Sequence, residues 1–350
     1  MTVLYVIIAI LIFGILVIVH ELGHFSVAKL CGIRVEEFSV GLGPALFSKQ
    51  KGETKYSLRC IPFGGFCAMT GEDGESDDPR AFVNAKVWQK LLVLIAGAFM
   101  NFLLGFIIML CIYADAQGFI APKIDAFMEG CPYETADGLQ AGDRFLKIDG
   151  KVVYTSSDIS DLLDTDTVHD IIVKRGNEKI TLNRYHIERI EYDGYEDKMY
   201  GFTLGIDEGT FLNKIKYSGA MCCEFVRWVF DGLRQLISGG ASMNDLSGPV
   251  GIVDMMAETG ASAETTADAL YSIFYIAAFI AVDLAFMNML PIPALDGGRV
   301  FLLIVTWIIE TVTRRKLNPK YEAYIHGAGM VLLLALMAVV LFNDVWKLFK

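Results

Sequence analysis

The chain has 350 residues, 54% of them hydrophobic and 20% charged, with a mean hydropathy of +0.45. Soluble domains contain more charge, and their apolar residues are not gathered into long uncharged runs, so a soluble cytoplasmic protein is excluded. The net charge of −11 argues against a nucleic-acid partner, and the seven cysteines form no CxxC pair, which argues against a zinc ribbon.

Three uncharged runs predict membrane-spanning helices, because a bilayer core needs about 20 apolar residues per helix. They cover residues 3–19, residues 91–114 and residues 324–342. The first run has neither a basic leader nor a small-residue cleavage motif. We therefore expect a retained helix there, not a signal peptide.

Residues 269–310 form a fourth apolar segment, which is too long for one straight helix and is interrupted by Pro291 and Pro293. It also contains Asp283 and Asp296. Interrupted backbone at membrane depth is tolerated only where it is buried in protein or lines a cavity. The segment is therefore predicted to be a broken membrane element that contributes to a site.

Lys and Arg are concentrated in the connections at residues 31–90 and 314–323, and positively charged loops stay in the cytoplasm. Both termini and residues 115–267 are then expected outside the cytoplasm. Within that outer stretch, residues 211–237 place apolar residues at helical spacing among several charges. Such charges are costly in lipid, so we expect an amphipathic helix on the membrane surface and not a fifth span.

Residues 120–187 predict a small α/β domain. Residues 157–163 predict a short helix with a serine cap, and residues 188–209 are expected to lead out of the domain. Strands are predicted from β-branched stretches at residues 145–148, 152–154, 171–174 and 180–182.

The first predicted span ends in the sequence HELGH at residues 20–24. His20 and His24 share one helical face, so both imidazoles can reach one ion, and Glu21 can approach a metal-bound water. Zinc bound by neutral imidazoles lowers the pKa of a bound water to about 7. Glu21 would then act as the general base and afterwards as the acid for the leaving amine.

A catalytic zinc takes three protein ligands, and two histidines leave one missing. The best candidate is Asp296, which stands beside helix-breaking prolines and glycines that can present it to a cavity. Asp283 and His326 are the competing candidates. His169 and His186 lie in the outer domain and are expected to be ordinary surface residues.

The HExxH motif in the first span, together with NxxPxPxLDGG at residues 288–298, resembles the site-2 protease family of intramembrane zinc metalloproteases, of the bacterial RseP/RasP type that regulates sigma-factor signalling. The resemblance covers nearly the whole chain. Further matching stretches are GLGP at residues 41–44, IPFGGF at 61–66, GLQAGD at 138–143 and LSGPVGI at 246–252.

The resemblance implies that His20, His24 and Asp296 are zinc ligands and that Glu21 is the catalytic base. It also implies that three residues help to seat the substrate, namely Asn288, Pro291 and Pro293. The implied substrates are single-span membrane proteins, such as an anti-sigma factor or a remnant signal peptide. An upstream site-1 protease and a bacterial plasma membrane location are implied with them.

The resemblance also predicts the domain organisation: a polytopic α-helical membrane protein with about four transmembrane helices, one of them broken, a PDZ-like insert and a membrane-associated β-hairpin that includes residues 56–69. In chain order the first predicted segments are the first helix with HExxH (1–30), a cytoplasmic-side loop with the hairpin (31–90) and the second helix (91–114). The PDZ-like domain and exit segment (115–208) and the amphipathic surface region (209–267) follow. The chain then continues with the broken segment that contains the LDG motif (268–313), a cytoplasmic loop (314–323) and the last helix and tail (324–350).

Two departures from the family pattern bear on the substrate. Asp283 stands where the family commonly has an asparagine, and a carboxylate can accept but not donate a hydrogen bond. Residues 130–139 are one residue longer than the corresponding family stretch, so peptide binding by the PDZ-like domain is less secure than its fold.

Two other classes of function remain open at this point. One is a membrane-anchored PDZ-type scaffold with a vestigial metal site. The other is a metal transporter, although the sequence offers no second metal site for relay. An intact HExxH motif with Asp296 favours the protease.

Overall fold

The computed structural model describes residues 2–72, 74, 76–240, 248–314 and 320–348. The chain divides into two compact units. Residues 1–112 and 225–350 form what we call the membrane-helix unit, and residues 113–224 form the insert unit. Each unit has its own hydrophobic core.

Long helices dominate the membrane-helix unit. Among the described residues, four stretches are long and apolar enough to cross a membrane, namely Val3–Leu30, Val87–Ile112, Thr266–Asn288 and Tyr324–Asp344. The helices that carry them are α1 (Thr2–Leu30), α2 (Val87–Ile112), α6 (Thr266–Asn288) and α8 (Lys320–Leu348). The three uncharged runs predicted from the sequence therefore lie in helices, and the chain is a multi-pass membrane protein.

The predicted break in the fourth segment is confirmed. Helix α6 ends at Asn288 and α7 (Asp296–Thr313) begins after a seven-residue link. Within the link, Ala294 has a φ of +80°, which few residues other than glycine adopt. A Cβ at Gly297 would lie 2.3 Å from the carbonyl carbon of Met289, so the glycines of the LDGG sequence let α7 begin against the end of α6.

The hairpin is longer than the sequence indicated. Strands β1 (Val35–Lys51) and β2 (Thr54–Met69) pair antiparallel from Val35 opposite Met69 to Lys51 opposite Thr54, with several bulges. Gly41, one of the bulge residues, has a φ of +85°. The strand nature of residues 56–69 is confirmed.

Small residues bring the membrane helices close together. A Cβ at Gly105 of α2 would lie 3.0 Å from the carbonyl oxygen of Ala278 in α6. Helix α5 (Pro249–Ser262) packs its Met256 into the core shared by α1 and α6, so this part of residues 209–267 is not a surface helix.

Two predicted features fall partly outside the described residues. Residues 246 and 247 of the LSGPVGI stretch and residues 315–319 of the predicted cytoplasmic loop are not among them. The described remainder of LSGPVGI is held by α8, because the backbone N–H groups of Gly248 and Gly251 both donate to the buried carboxylate of Asp344.

The insert unit is an antiparallel sheet with one short helix. The strand order is β7-β6-β4-β3-β8, and β5 pairs with β4. All four predicted strands are present, and α3 (Ser157–Leu163) has the predicted bounds. The strands are β3 (Gly118–Phe127), β4 (Arg144–Ile148), β5 (Lys151–Val152), β6 (Val168–Arg175), β7 (Glu178–His186) and β8 (Phe202–Glu208).

Three expectations about the insert unit are wrong. Ser156 occupies the N-cap of α3 but makes no capping hydrogen bond, and the carboxylate of Asp158 instead accepts from the backbone N–H of Thr155. Residues 188–209 do not simply lead out of the domain, because β8 pairs with β3 along the sheet edge. His169 is 1% exposed and is therefore not a surface residue.

Helix α4 (Phe211–Ser238) follows β8 and confirms the helix predicted at residues 211–237. It buries Tyr217 and Phe225, whereas Phe211 and Ile237 are exposed. The boundary between the two units falls within this helix.

Candidate active site

Two histidines lie one helical turn apart near the end of α1. His20 and His24 are four residues apart, so both imidazoles leave the same face of the helix. Their Nε2 atoms are 3.2 Å apart, and the two rings meet edge to face. His24 is 8% exposed. Two ring nitrogens directed at one point are the arrangement that a shared metal ion requires.

Asp296, the first residue of α7, brings a third ligand-type atom to the histidines. Its Oδ2 lies 3.1 Å from Nε2 of His20 and 3.2 Å from Nε2 of His24. This oxygen is buried, yet it accepts no hydrogen bond from any residue that the structure describes. Tetrahedral ligands at about 2.0–2.1 Å from zinc lie about 3.3 Å from one another, so the three atoms have the spacing of one zinc site.

Within the described ranges, these three side chains are the one group of His, Cys, Asp or Glu residues spaced to hold a metal ion. The competing ligand candidates lie elsewhere. Asp283 is half-buried in α6. His326 contacts the link instead, because its Nδ1 accepts a hydrogen bond from the backbone N–H of Ala294 at 3.3 Å.

Helix α2 fits closely against the histidines. A Cβ at Gly97 would lie 2.4 Å from Nε2 of His24, and a Cβ at Gly23 would lie 2.4 Å from the carbonyl oxygen of Ala96. The His24 Nδ1 donates to the carbonyl oxygen of Val93 at 2.8 Å. Because a carbonyl only accepts, Nδ1 carries the proton and Nε2 keeps a free lone pair.

Glu21 lies between the hairpin and the group formed by His20, His24 and Asp296. It is half-buried, and its carboxylate interacts electrostatically with both imidazoles and with Asp296. A Cβ at Gly65 of β2 would lie 3.3 Å from Cγ of Glu21 and 2.9 Å from the carbonyl oxygen of Ser39. The glycine of β2 thus leaves the room that the glutamate occupies.

The three residues predicted to seat the substrate shortly precede Asp296 in the sequence. Asn288 is the last residue of α6, and Pro291 and Pro293 belong to the link that leads to Asp296. Pro291 is exposed and Pro293 is half-buried. A Cβ at Gly329 of α8 would lie 2.4 Å from Cβ of Pro293, so α8 packs closely on the link.

Sequence reasoning missed the contributions of α2 and of one ion pair. Asn101 is 1% exposed, and its Nδ2 lies 3.5 Å from Nδ1 of His20. Its signal in the sequence was a single amide inside a 24-residue uncharged run. Arg299 of α7 pairs with Glu72, which follows β2, and so joins the LDGG segment to the end of the hairpin.

Paired histidines, a carboxylate of metal-ligand spacing and a neighbouring glutamate, held by membrane-spanning helices, define the class of intramembrane metal-dependent hydrolases. Comparison with known proteins gives the family. The profile of peptidase family M50 matches residues 8–336, and the chain belongs to this family, the site-2 proteases. It is a zinc metalloendopeptidase.

The chain is similar to several bacterial proteins along its full length. It is 39% identical over 346 residues to a relative from Clostridium perfringens that carries a provisional zinc metalloprotease name, and the match covers 98% of each chain. It is 28% identical, over 434 aligned positions, to the regulator of sigma-W protease RasP of Bacillus subtilis, covering 97% of this chain and 98% of that one. A scaffold or transporter is therefore excluded as the main function.

Proposed function

We propose that His20, His24 and Asp296 hold the catalytic zinc and that Glu21 is the general base. The observation that carries this assignment is the mutual spacing of the three ligand atoms, 3.1–3.2 Å, around an otherwise unsatisfied carboxylate oxygen. Zinc, when bound, would act as a Lewis acid that lowers the pKa of a water molecule and polarises the carbonyl of the substrate amide.

The residues of the chain divide the remaining work. A Glu21 carboxylate oxygen accepts the proton of the attacking water and then delivers it to the nitrogen of the cleaved amide. Nδ1–H of His24, held by the Val93 carbonyl, keeps Nε2 directed at the ion. Asn288, Pro291 and Pro293 seat the substrate backbone beside it.

The substrate in this proposal is the membrane span of a single-span protein, such as an anti-sigma factor or a remnant signal peptide. A substrate helix hides its amides in hydrogen bonds, so it must unwind before attack, and helix-destabilising residues are expected near the cleavage point. The hairpin can pair with the unwound segment through backbone hydrogen bonds. Its exposed apolar side chains support a location at the membrane, and they include Leu42, Leu46, Phe47, Leu58 and Ile61.

The orientation in this proposal places both termini outside the cytoplasm of a bacterium. His20 is 17 residues beyond Val3 on α1, which is about 26 Å along the helix. The zinc then lies in the cytoplasmic half of the plasma membrane, where a polar cavity can admit water.

The insert unit in this proposal is a PDZ-like domain that acts outside the cytoplasm with α4 as a size filter. Substrates enter only after an upstream site-1 protease has trimmed their outer domain. Because β8 belongs to the sheet, the deletion that tests this filter must remove residues 118–208. The deleted protein is expected to cut an untrimmed single-span substrate, and failure to cut it while still cutting a trimmed one contradicts the filter.

Zinc content tests the ligand assignment. Detergent-purified wild type is expected to hold about one zinc per chain, the His20→Ala/His24→Ala double variant none, and Asp296→Ala less than wild type. His186→Ala, which removes an exposed histidine of β7, is the control and is expected to keep the metal. Full zinc retention by Asp296→Ala would contradict the assignment and favour Asp283 or His326 as the third ligand.

Glu21→Gln tests the general base. The variant is expected to keep zinc, because the amide preserves the shape of the side chain, and to cut a reconstituted single-span substrate about 10²–10⁴-fold more slowly. Cleavage at the wild-type rate would show that another group moves the proton.

A further inference from the structure

Three residues of α2 form a stripe that faces the histidines. Val93, Gly97 and Asn101 are spaced four residues apart, so they share one helical face. Val93 accepts the hydrogen bond of His24, Gly97 leaves room for both rings, and Asn101 reaches His20. Val93 and Asn101 thus contact the Nδ1 atoms of the two imidazoles, whereas the Nε2 atoms face Asp296.

His20 needs a hydrogen-bond acceptor at Nδ1. Its Nε2 is the nitrogen that faces Nε2 of His24 and Oδ2 of Asp296. An imidazole that ligates through Nε2 carries its proton on Nδ1, and metal-binding histidines donate that proton to a carbonyl or carboxylate. For His24 the acceptor is the Val93 carbonyl; for His20 the neighbour at Nδ1 is the side-chain amide of Asn101.

The Asn101 amide has an unused acceptor. It is 1% exposed, and its Oδ1 receives no hydrogen bond from any residue in the described ranges. A buried amide oxygen that receives no hydrogen bond is costly inside a membrane, where no solvent replaces the missing bond. A half-turn about the Cβ–Cγ bond exchanges Oδ1 with Nδ2, so the side chain can present its oxygen to His20.

We propose that Asn101 is a positioning residue for His20: its amide oxygen accepts the proton of Nδ1 and thereby holds Nε2 of His20 towards the metal. The inference rests on the proposed zinc site and adds a residue to it. Asn101 touches neither the metal nor the substrate in this role. It acts through the orientation and the tautomer of one ligand.

Zinc affinity, measured by competition with a chelator on the purified full chain, separates an acceptor role from mere packing. Asn101→Leu keeps the branching at Cγ and removes the acceptor, and Asn101→Asp keeps an acceptor at the same place. We expect Asn101→Leu to bind zinc about 10–100-fold more weakly. We expect Asn101→Asp to bind as tightly as wild type or more tightly. Met109→Leu, at another buried position of α2, is the control and is expected to be unchanged.

Cobalt substitution adds a readout that does not depend on activity. The visible absorption of bound Co²⁺ reports the coordination geometry, and it is expected to change in Asn101→Leu and to be retained in Asn101→Asp. Asn101→Ala, which also lacks the acceptor, serves if the leucine variant fails to fold, and the same weakening is expected of it.

Three results would overturn the proposal. Unchanged zinc affinity and cobalt spectrum in a folded Asn101→Leu or Asn101→Ala would show that His20 needs no acceptor from α2. Equal weakening in Asn101→Leu and Asn101→Asp would show that only the shape of asparagine matters. If the His20→Ala variant bound zinc as tightly as wild type, the proposed zinc site would be wrong. The proposed role of Asn101 would then be wrong with it.

Discussion

Each unit holds a histidine close to a carboxylate, but the two units satisfy these polar groups in opposite ways. In the insert unit, Nδ1 of His169 lies 2.6 Å from Oδ2 of Asp149, and its Nε2 lies 2.8 Å from the carbonyl oxygen of Asp166. The buried carboxylate of Glu224 accepts from the hydroxyl groups of Thr155 and Ser157. Every polar group named there has an internal partner.

In the membrane-helix unit the corresponding groups are left incomplete. The Nε2 atoms of His20 and His24 face one another and Oδ2 of Asp296, which accepts no hydrogen bond from the described part of the chain. Burying such groups without partners is costly, and a divalent cation removes that cost. At His169 and Glu224 the completed hydrogen bonds stabilise the insert unit, whereas His20, His24 and Asp296 combine an unsatisfied oxygen with the spacing of a metal site.

Gly97→Ala is expected to have the largest effect. The added methyl group would lie 2.4 Å from Nε2 of His24 and 2.7 Å from Cε1 of His20, so the rings must leave their positions. We expect zinc affinity to fall by about 100-fold or more, measured by chelator competition.

Gly105→Ala is the matched control for this substitution. It adds the same methyl group on α2, against Val282 of α6 at 2.7 Å, and is expected to lower the thermal stability while keeping zinc. Equal zinc loss in both variants would mean that general disruption of α2, and not contact with the imidazoles, explains the result.

Removing one carboxylate from each unit is expected to have different effects on stability. Glu224→Leu leaves two hydroxyl groups without their acceptor and is expected to destabilise the insert unit by about 1–3 kcal/mol, read from amide hydrogen exchange in its strands. After a chelator has removed the metal from both proteins, Asp296→Asn is expected to unfold at the same temperature as wild type. A metal-free Asp296→Asn protein that melts well below wild type would show that Asp296 has a structural role.

The histidine of the insert unit predicts a modest pH dependence. Burial opposes the charge on His169, but the hydrogen bonds to Asp149 and to backbone carbonyls outweigh it, so the pKa of His169 is raised above its ordinary value. The charged form is thus favoured in the folded state. The stabilisation is complete below the unfolded pKa of about 6.5 and is lost as the pH rises through the raised folded pKa.

Asp149→Ala checks this sign. Since the Asp149 side chain is 43% exposed, we expect a loss of only about 1 kcal/mol at pH 6, and a smaller loss at higher pH, measured by hydrogen exchange in β6. His186→Ala is the control. A loss that grows with pH would contradict a charged His169.

Much of the site could be predicted because its signals are local. The spacing of His20 and His24 places two imidazoles on one helical face, and the prolines beside Asp296 predict a break in the membrane-spanning helix. The support from α2 could not be predicted, because Gly97 and Asn101 meet the histidines only after two distant helices pack together.

The fold shows the same division between local and tertiary information. Uncharged runs and β-branched stretches predicted the membrane helices and four strands. The partner of β8 is β3, about 80 residues earlier, so no local pattern reveals that residues 202–208 complete the sheet edge. The hydrogen bond of buried His169 to Asp149 likewise forms only when β6 pairs with β4.

X-ray absorption by the zinc-loaded chain identifies the atoms that bind the metal. If His20, His24 and Asp296 bind the zinc, only nitrogen and oxygen ligands are expected, at about 2.0–2.2 Å, with the outer-shell scattering of two imidazoles in wild type and in Asp296→Ala. In His20→Ala only one imidazole, at most, is expected to remain. A sulfur ligand at about 2.3 Å would contradict a zinc site made of His20, His24 and Asp296. The same number of bound imidazoles in His20→Ala as in wild type would also contradict it.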